Sequence, residues 1–543
     1  MKKSIRIIAL ILSMAMCLVL FAACNKSDDS SGSPANTPAG SPAESPGNAV
    51  STIVTDPLAP PPAGAKFAEH IDFGTDHTPI SVLDPGSPPG NTPPTLWSYR
   101  MYLDSLVFNK DGVLYPCLAK SWSTTDYQTY TFVLRDDVYF HNGDKFTAKD
   151  VEYTIERSRV SMGSMAIDHW RPVETVNIIN DYEIELVLDA VNVDFVTNTT
   201  YSSAGILNER AITEDPENGP HVGTGAYKVA EFIPNNYVTM ERNDDYWGDI
   251  PYTKSVTIRF IPDVAARTIM MQNEELHASL GGLSPDDIHI FQDSDRYNVY
   301  EVLFNNPNTL GFSMIHPITS DYNFRMAVMH ALNREEIALV AAAEWGVPET
   351  TGTLWGESLQ FRNNDIPIVE FDLDKAKEYL AKSPYNGETL EIATAAETFI
   401  KAAQAVQQEL NKIGINIEVN QMDMPGLMGF GRYGNEEIEM ILTVTGFVAL
   451  TSFRSIFFPG GATNRQTYNN PVIVEMYEKA IATADDQQRE AMFKEIQEVV
   501  AEDTPLVNLF WHNNCMVLLN SIGGLYLPKD VWYDLRYAYM LVD

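Results

Sequence analysis

Residues 389–419 read TLEIATAAETFIKAAQAVQQELNKIGINIEV, and the spacing of their apolar side chains changes period twice. Thr389–Ile392 reads as a short strand. Phe399, Ala402, Val406, Leu410 and Ile413 then recur at three- and four-residue steps, the pattern of one buried helix face. Gly414 stops that helix, since glycine takes the left-handed conformation favoured just past a helix C-terminus, and Ile415, Ile417 and Val419 alternate as a second strand. Upstream, Asp372 can cap a helix running through Ala376, Tyr379 and Leu380; downstream, Met440–Val444 is a further short apolar strand. This βαβα order favours a mostly parallel sheet covered by helices, an α/β fold.

Nearer the N-terminus, Tyr130, Phe132 and Leu134 recur at period two, Val138 and Phe140 repeat the spacing, and Asn142-Gly143 supplies a turn. Together they read as a β-hairpin region. Thr147-Ala148-Lys149-Asp150 has the form of a capping box, opening a helix whose apolar positions include Val151 and Ile155. Val222-Gly223-Thr224-Gly225-Ala226-Tyr227 has no GxxxxGK[ST] or GxGxxG continuation, so its glycines read as a backbone turn rather than a phosphate cradle.

The chain has 543 residues, 45% of them hydrophobic, enough to build several cores and at least two lobes. Its formal charge of −36, from 73 acidic against 37 basic residues, repels nucleic acid and anionic membrane surfaces and favours solubility. Lys2, Lys3 and Arg6 precede an apolar run from Ile7 to Phe21, too short to span a bilayer stably and flanked like an export signal. The run ends in Leu20-Phe21-Ala22-Ala23-Cys24, which resembles a lipobox, with Phe21 where an aliphatic residue is usual and Cys24 as the lipid-bearing cysteine. Residues 1–23 therefore read as a lipoprotein signal peptide. Residues 24–64 read as a disordered Ser/Pro/Gly tether, too poor in apolar side chains to offset the entropy of ordering. Cys117 and Cys515 read as buried free thiols. No other apolar stretch approaches the ~20 residues of a membrane helix, so the Cys24 lipid is the expected membrane contact.

Several ordered segments resemble the family 5 extracellular solute-binding proteins, the group of oligopeptide-, dipeptide- and nickel-binding proteins. They are Pro116-Cys117-Leu118-Ala119-Lys120-Ser121-Trp122, then Tyr130–Arg135, Val138–Gly143 and Thr147–Val151. Val222–Tyr227 follows, with Ala226 where proline is usual, and after it Glu241–Gly248, Phe324–Glu335 and Thr504–Val507. Asn273-Glu274-Glu275-Leu276-His277 departs from the family's short Gly-Glu-x-Asp stretch.

The resemblance implies a two-lobed periplasmic-binding-protein-like fold with a hinge and an additional subdomain. Lobe I would comprise 65–95, 220–312 and 506–543, the additional subdomain 96–219, and lobe II 313–505. It further implies a monomeric ABC-importer lipoprotein on the outer face of the cell membrane, which captures a peptide or peptide-like solute by lobe closure and passes it to permease subunits. In peptide-binding relatives an extended ligand pairs with the segment that matches Thr445-Gly446-Phe447-Val448-Ala449-Leu450-Thr451-Ser452 here, as in β-augmentation.

Those relatives also place an aspartate shortly after the Gly-aromatic pair, because a desolvated ammonium needs a carboxylate partner. Thr443–Ser452 contains no acid. Arg454 follows instead, a fork of donors suited to a carboxylate or phosphate, or else a structural ion-pair partner. Trp97 and Tyr99 on the first-lobe side, with Phe447 and Trp355 on the second, are each either cleft wall or core. The sequence contains no His-Glu-x-x-His helix, no Gly-x-Ser-x-Gly elbow and no cysteine knuckle, so no catalytic residues, bound metal or cofactor are expected. A lipid-anchored peptide-signal sensor and a nickel- or metallophore-binding importer component are the alternative functions.

Overall fold

The computed structural model of the chain describes residues 59–542 apart from 76–79, 88–92, 111, 162–164, 282, 284, 304–305, 357–358, 424–425, 428–437, 446–449, 451, 462 and 526–532. The expected signal peptide, Cys24 and nearly all of the expected tether lie outside the described residues.

The segment 389–444 folds as its periodicity indicates. The strand Thr389–Thr394 pairs in parallel with both Asn416–Gln421 and Met440–Val444, and the helix Glu397–Asn411 buries Ala402, Val406 and Leu410 against them. Gly414 closes the turn with φ +88°, and Asp372 caps the helix Leu373–Leu380 by accepting the Asp374 and Lys375 amides.

These strands belong to a sheet of twelve strands that is mixed rather than mostly parallel. Antiparallel pairs flank the parallel run: Asn308–Phe312 against Met440–Val444, and Tyr237–Arg242 against both Tyr227–Ile233 and Ser255–Phe260. Tyr130, Phe132 and Leu134 are buried as their period requires, but their strand does not form a hairpin with Val138–Phe140. It pairs with Ala119–Ser123 and Glu183–Leu188 in a separate four-stranded antiparallel sheet. Residues 138–146 close only a miniature hairpin, a single Tyr139–Lys145 bridge around Gly143 at φ +87°. The capping box forms, with Asp150 accepting the Thr147 amide at 2.9 Å.

The molecule is a two-lobed α/β fold whose cores share one long strand, Leu506–Leu519. Its first half pairs with Asn308–Phe312 and Gly346–Pro348. Its second half pairs with Tyr297–Leu303 and Ala278–Leu280. Side chains change sides accordingly: Val507, Leu509 and Phe510 pack with Leu310, Leu390 and Leu442, whereas Met516 and Leu518 pack with Phe73, Val238 and Ile258. The changeover thus falls inside the strand, near His512, and residues 506–512 pack with the second core although the motif positions suggested lobe I. Beside it, Trp345 enters a small core with Met271, Leu276, Phe291 and Cys515. Cys117 and Cys515 are both buried and free; burial pushes the Cys515 thiol up to about 12.

Candidate ligand-binding site

Crevices in α/β sheets open at the C-terminal ends of parallel strands, where successive connections diverge. Here that edge lies where Thr389–Thr394, Asn416–Gln421 and Met440–Val444 end. Ala396, which follows the first, has φ +67° and ψ 149°, a backbone that L-residues adopt only under constraint. Thr445, which follows the last, shares a 2.7 Å hydrogen bond with Thr309 and donates its amide to Pro307 O. The stretch matched to the relatives' ligand-pairing segment therefore leaves this edge. Gly446, Phe447, Val448, Ala449 and Thr451 lie outside the described residues.

The chain then turns into the helix Ser452–Phe457. Phe453, Ile456 and Phe457 lie at three- and four-residue steps and are buried, so helical geometry carries Arg454 and Ser455 round to another face. Leu450 is 7% exposed and joins the same core. The Arg454 guanidinium lies over the Phe458 ring at 5.4 Å, and no carboxylate among the described residues is within ion-pair distance of it. The structural ion pair weighed from sequence is absent there.

Arg454 sits where the second lobe meets the segment 165–203, which packs with or beside the four-stranded sheet. Ser455 Oγ donates to Asp168 Oδ2 at 3.4 Å, and Asp168 is also paired with Arg171 at 2.8 Å. The buried Tyr477 phenol, pushed up chiefly by loss of water, feels the charges of both Asp194 and Arg454. His169 stacks on Tyr201 with centroids 4.5 Å apart, and its Nε2 meets Ser203 Oγ at 2.8 Å. Burial drives its pKa down to about 3, so the ring is neutral at physiological pH.

Trp97, Tyr99 and Trp355, the aromatic candidates among the described residues, occupy cores. Trp97 is 1% exposed and stacks on Tyr533 at 4.9 Å. Tyr99 is fully buried beside Tyr102, and burial raises its phenol well above the usual value. Trp355 is 0% exposed and packs 5.5 Å from Phe453, which brings it to the 450–457 segment from behind. Of the site residues expected from sequence, the structure thus joins Trp355, Leu450 and Arg454 in one region and puts Trp97 and Tyr99 in the other core. Asp168, His169, Tyr201 and Tyr477 were missed, because only the juxtaposition of distant segments brings them near Arg454.

Two resemblance segments far apart in sequence meet at His141. Its Nε2 donates to Gly225 O at 3.0 Å, and its Nδ1 accepts the Gly223 amide at 3.3 Å. A β-carbon on Gly225 would lie 2.6 Å from Met101 O, and one on Gly223 would collide with Tyr102 O. The glycine turn is thus a packing device filled by imidazole, with no space for phosphate. Among the described residues no group of three or more His, Cys, Asp or Glu side chains could hold a metal ion, and no helix is long and apolar enough to cross a membrane.

Residues 113–455 match the family model for bacterial extracellular solute-binding proteins, family 5. The nickel-binding periplasmic protein of Escherichia coli K12 is 25% identical over 506 residues, covering 86% of this chain and 95% of that one. The oligopeptide-binding protein AppA of Bacillus subtilis, solved with a nonapeptide, superposes with a TM-score of 0.78 at 20% identity over 88% of this chain and 100% of its own. AgaA of A. tumefaciens R10, solved with agropinic acid, gives a TM-score of 0.78 at 20% identity, covering 87% and 99%.

Proposed function

The chain belongs to the bacterial extracellular solute-binding proteins of family 5, and from that premise we propose that it is the lipid-anchored receptor of an ABC importer for a peptide-like solute carrying a carboxylate or other anionic group. Cys24 bears the lipid, residues 24–64 hold the folded body off the membrane, and the protein acts as a monomer. Solute binds Arg454 and the segment that follows Thr445. The lobes, with 65–95, 220–312 and 506–543 in the first, 96–219 as its additional subdomain and 313–505 in the second, close over the solute and present the closed shape to the permease.

Arg454 carries this reading. In a chain with 73 acidic residues, a half-buried guanidinium with no carboxylate at hand among the described residues is a receptor for an anion supplied from outside. The acid-free stretch Thr443–Ser452 argues against a free peptide ammonium at the position where peptide-binding relatives hold one.

Calorimetric titration with matched unmodified and N-acetylated dipeptides tests the reading. N-acetylated or otherwise N-blocked members bind and Arg454→Ala loses their binding tenfold or more, the ~1.4 kcal/mol or greater expected of a charge-assisted contact. Micromolar binding of unmodified dipeptides, unchanged in the variant, overturns it. The similarity to the E. coli nickel-binding protein supports a metallophore as second reading; titration with nickel and free histidine distinguishes the two.

A further inference from the structure

Away from the shared strand, the two lobes touch a second time. Asp194 Oδ1 and Arg489 Nη1 are 3.0 Å apart, with the Arg489 side chain 9% exposed. One residue earlier, the Val193 amide donates to Ile481 O at 2.9 Å, and nearer the candidate site Ser455 donates to Asp168. Residues 168–194 pack with or beside the four-stranded sheet and residues 455–489 with the core of Trp355 and Phe453, so with 96–219 assigned to the first lobe and 313–505 to the second all three contacts cross between lobes.

We propose that the Asp194–Arg489 pair, with the Val193–Ile481 hydrogen bond beside it, is a latch that holds the lobes closed and sets cargo affinity without touching cargo. The proposal rests on closure being the mode of capture and adds the residues that bias it.

Each partner is prepared on its own lobe. Arg489 is held by Asp486 at 2.8 Å and lies over the Phe361 ring at 5.3 Å. Asp194 is the N-cap of the short helix Phe195–Asn198, yet its carboxylate makes no cap hydrogen bond and reaches to Arg489 instead. Closure strips water from both ions. Burial raises the Asp194 pKa, Arg489 opposes it, and Asp194 Oδ2 and Arg489 Nε are left buried without hydrogen bonds among the described residues. A desolvated pair of this kind gives small net stabilisation because attraction and lost hydration nearly cancel, whereas removal of one partner strands a buried charge. The closed state is therefore favoured weakly enough for cargo to dominate and is strongly disfavoured by a single mismatch.

Hydrogen exchange of the Val193 amide, read on the full chain as purified, reports the latch directly, and small-angle scattering reports closure. Asp194→Arg and Arg489→Asp each speed exchange at Val193 by at least about tenfold and enlarge the radius of gyration, while amides of the Met440–Val444 strand keep their protection. The double variant D194R/R489D restores both readings, which separates the latch from any folding defect of a single variant. Wild-type exchange at Val193 in both single variants, or a double variant no better than either, overturns the latch. A wild-type protein whose radius of gyration stays the same when its co-purified small molecules are dialysed away under mild denaturant, and again when the concentrated dialysate is added back, overturns closure itself.

Discussion

His141 should make the fold acid-sensitive in a defined window. Its Nδ1 is filled by the Gly223 amide and its Nε2–H by Gly225 O, so a second proton would set Nδ1–H against an N–H donor. Burial adds to the penalty, and the pKa falls from 6.5 to about 4. For a base whose folded pKa is depressed, the stabilisation is complete above 6.5 and is lost as pH falls towards 4, because only the unfolded chain takes up the proton there. At about 1.4 kcal/mol per pH unit, the window removes up to about 3 kcal/mol. His169, lowered to about 3, works in the same direction. Asp150, raised by burial to about 6, works in the opposite one: its folded state takes the proton first, so stability grows as pH falls from 6 to 3.8. Other buried groups shift as well, His221 and His277 down and Asp104 and Asp194 up, so the raw acid profile mixes many groups and a difference isolates one. Urea unfolding of wild type and His141→Gln at half-unit steps from pH 7.5 to 4 should show a constant gap above 6.5 that shifts by about 2–3 kcal/mol towards the variant by pH 4. Parallel stability curves would refute the reasoning.

Gly225→Ala should lower stability by at least about 1–3 kcal/mol, measured as the urea midpoint, since its β-carbon meets the backbone of Met101 and Tyr102; an unchanged midpoint means that the turn has slack. Trp355→Ala, at a fully buried position, should cost about 3–5 kcal/mol. Were Trp355 a cleft wall instead, the variant would keep its melting temperature and lose only cargo.

What could be read from sequence was what is local. The strand–helix–strand run 389–421 and the Thr147–Asp150 cap depend on contacts within a few turns, and both form as their spacing indicates. Pairing of Thr129–Leu134 depends on Ala119–Ser123 and Glu183–Leu188, and nothing in its own alternation selects them over Val138–Phe140. The mixed character of the large sheet was hidden for the same reason: Leu506–Leu519 recruits its antiparallel partners from residues 278–348, far from it in sequence. At the site, Arg454 stood out as the cation after an acid-free stretch. Tyr477, which feels its charge, and Asp168, which meets the next residue Ser455, could not stand out, because only tertiary folding brings residue 168 within 3.4 Å of Ser455.

The most direct test of the account is the mass of what the protein carries. Denaturing mass spectrometry of small molecules released from the chain purified from its host should find one solute per protein, peptide-like and bearing a carboxylate or other anionic group with no free N-terminal ammonium. An ordinary unblocked dipeptide, a nickel complex or no solute at all would contradict it.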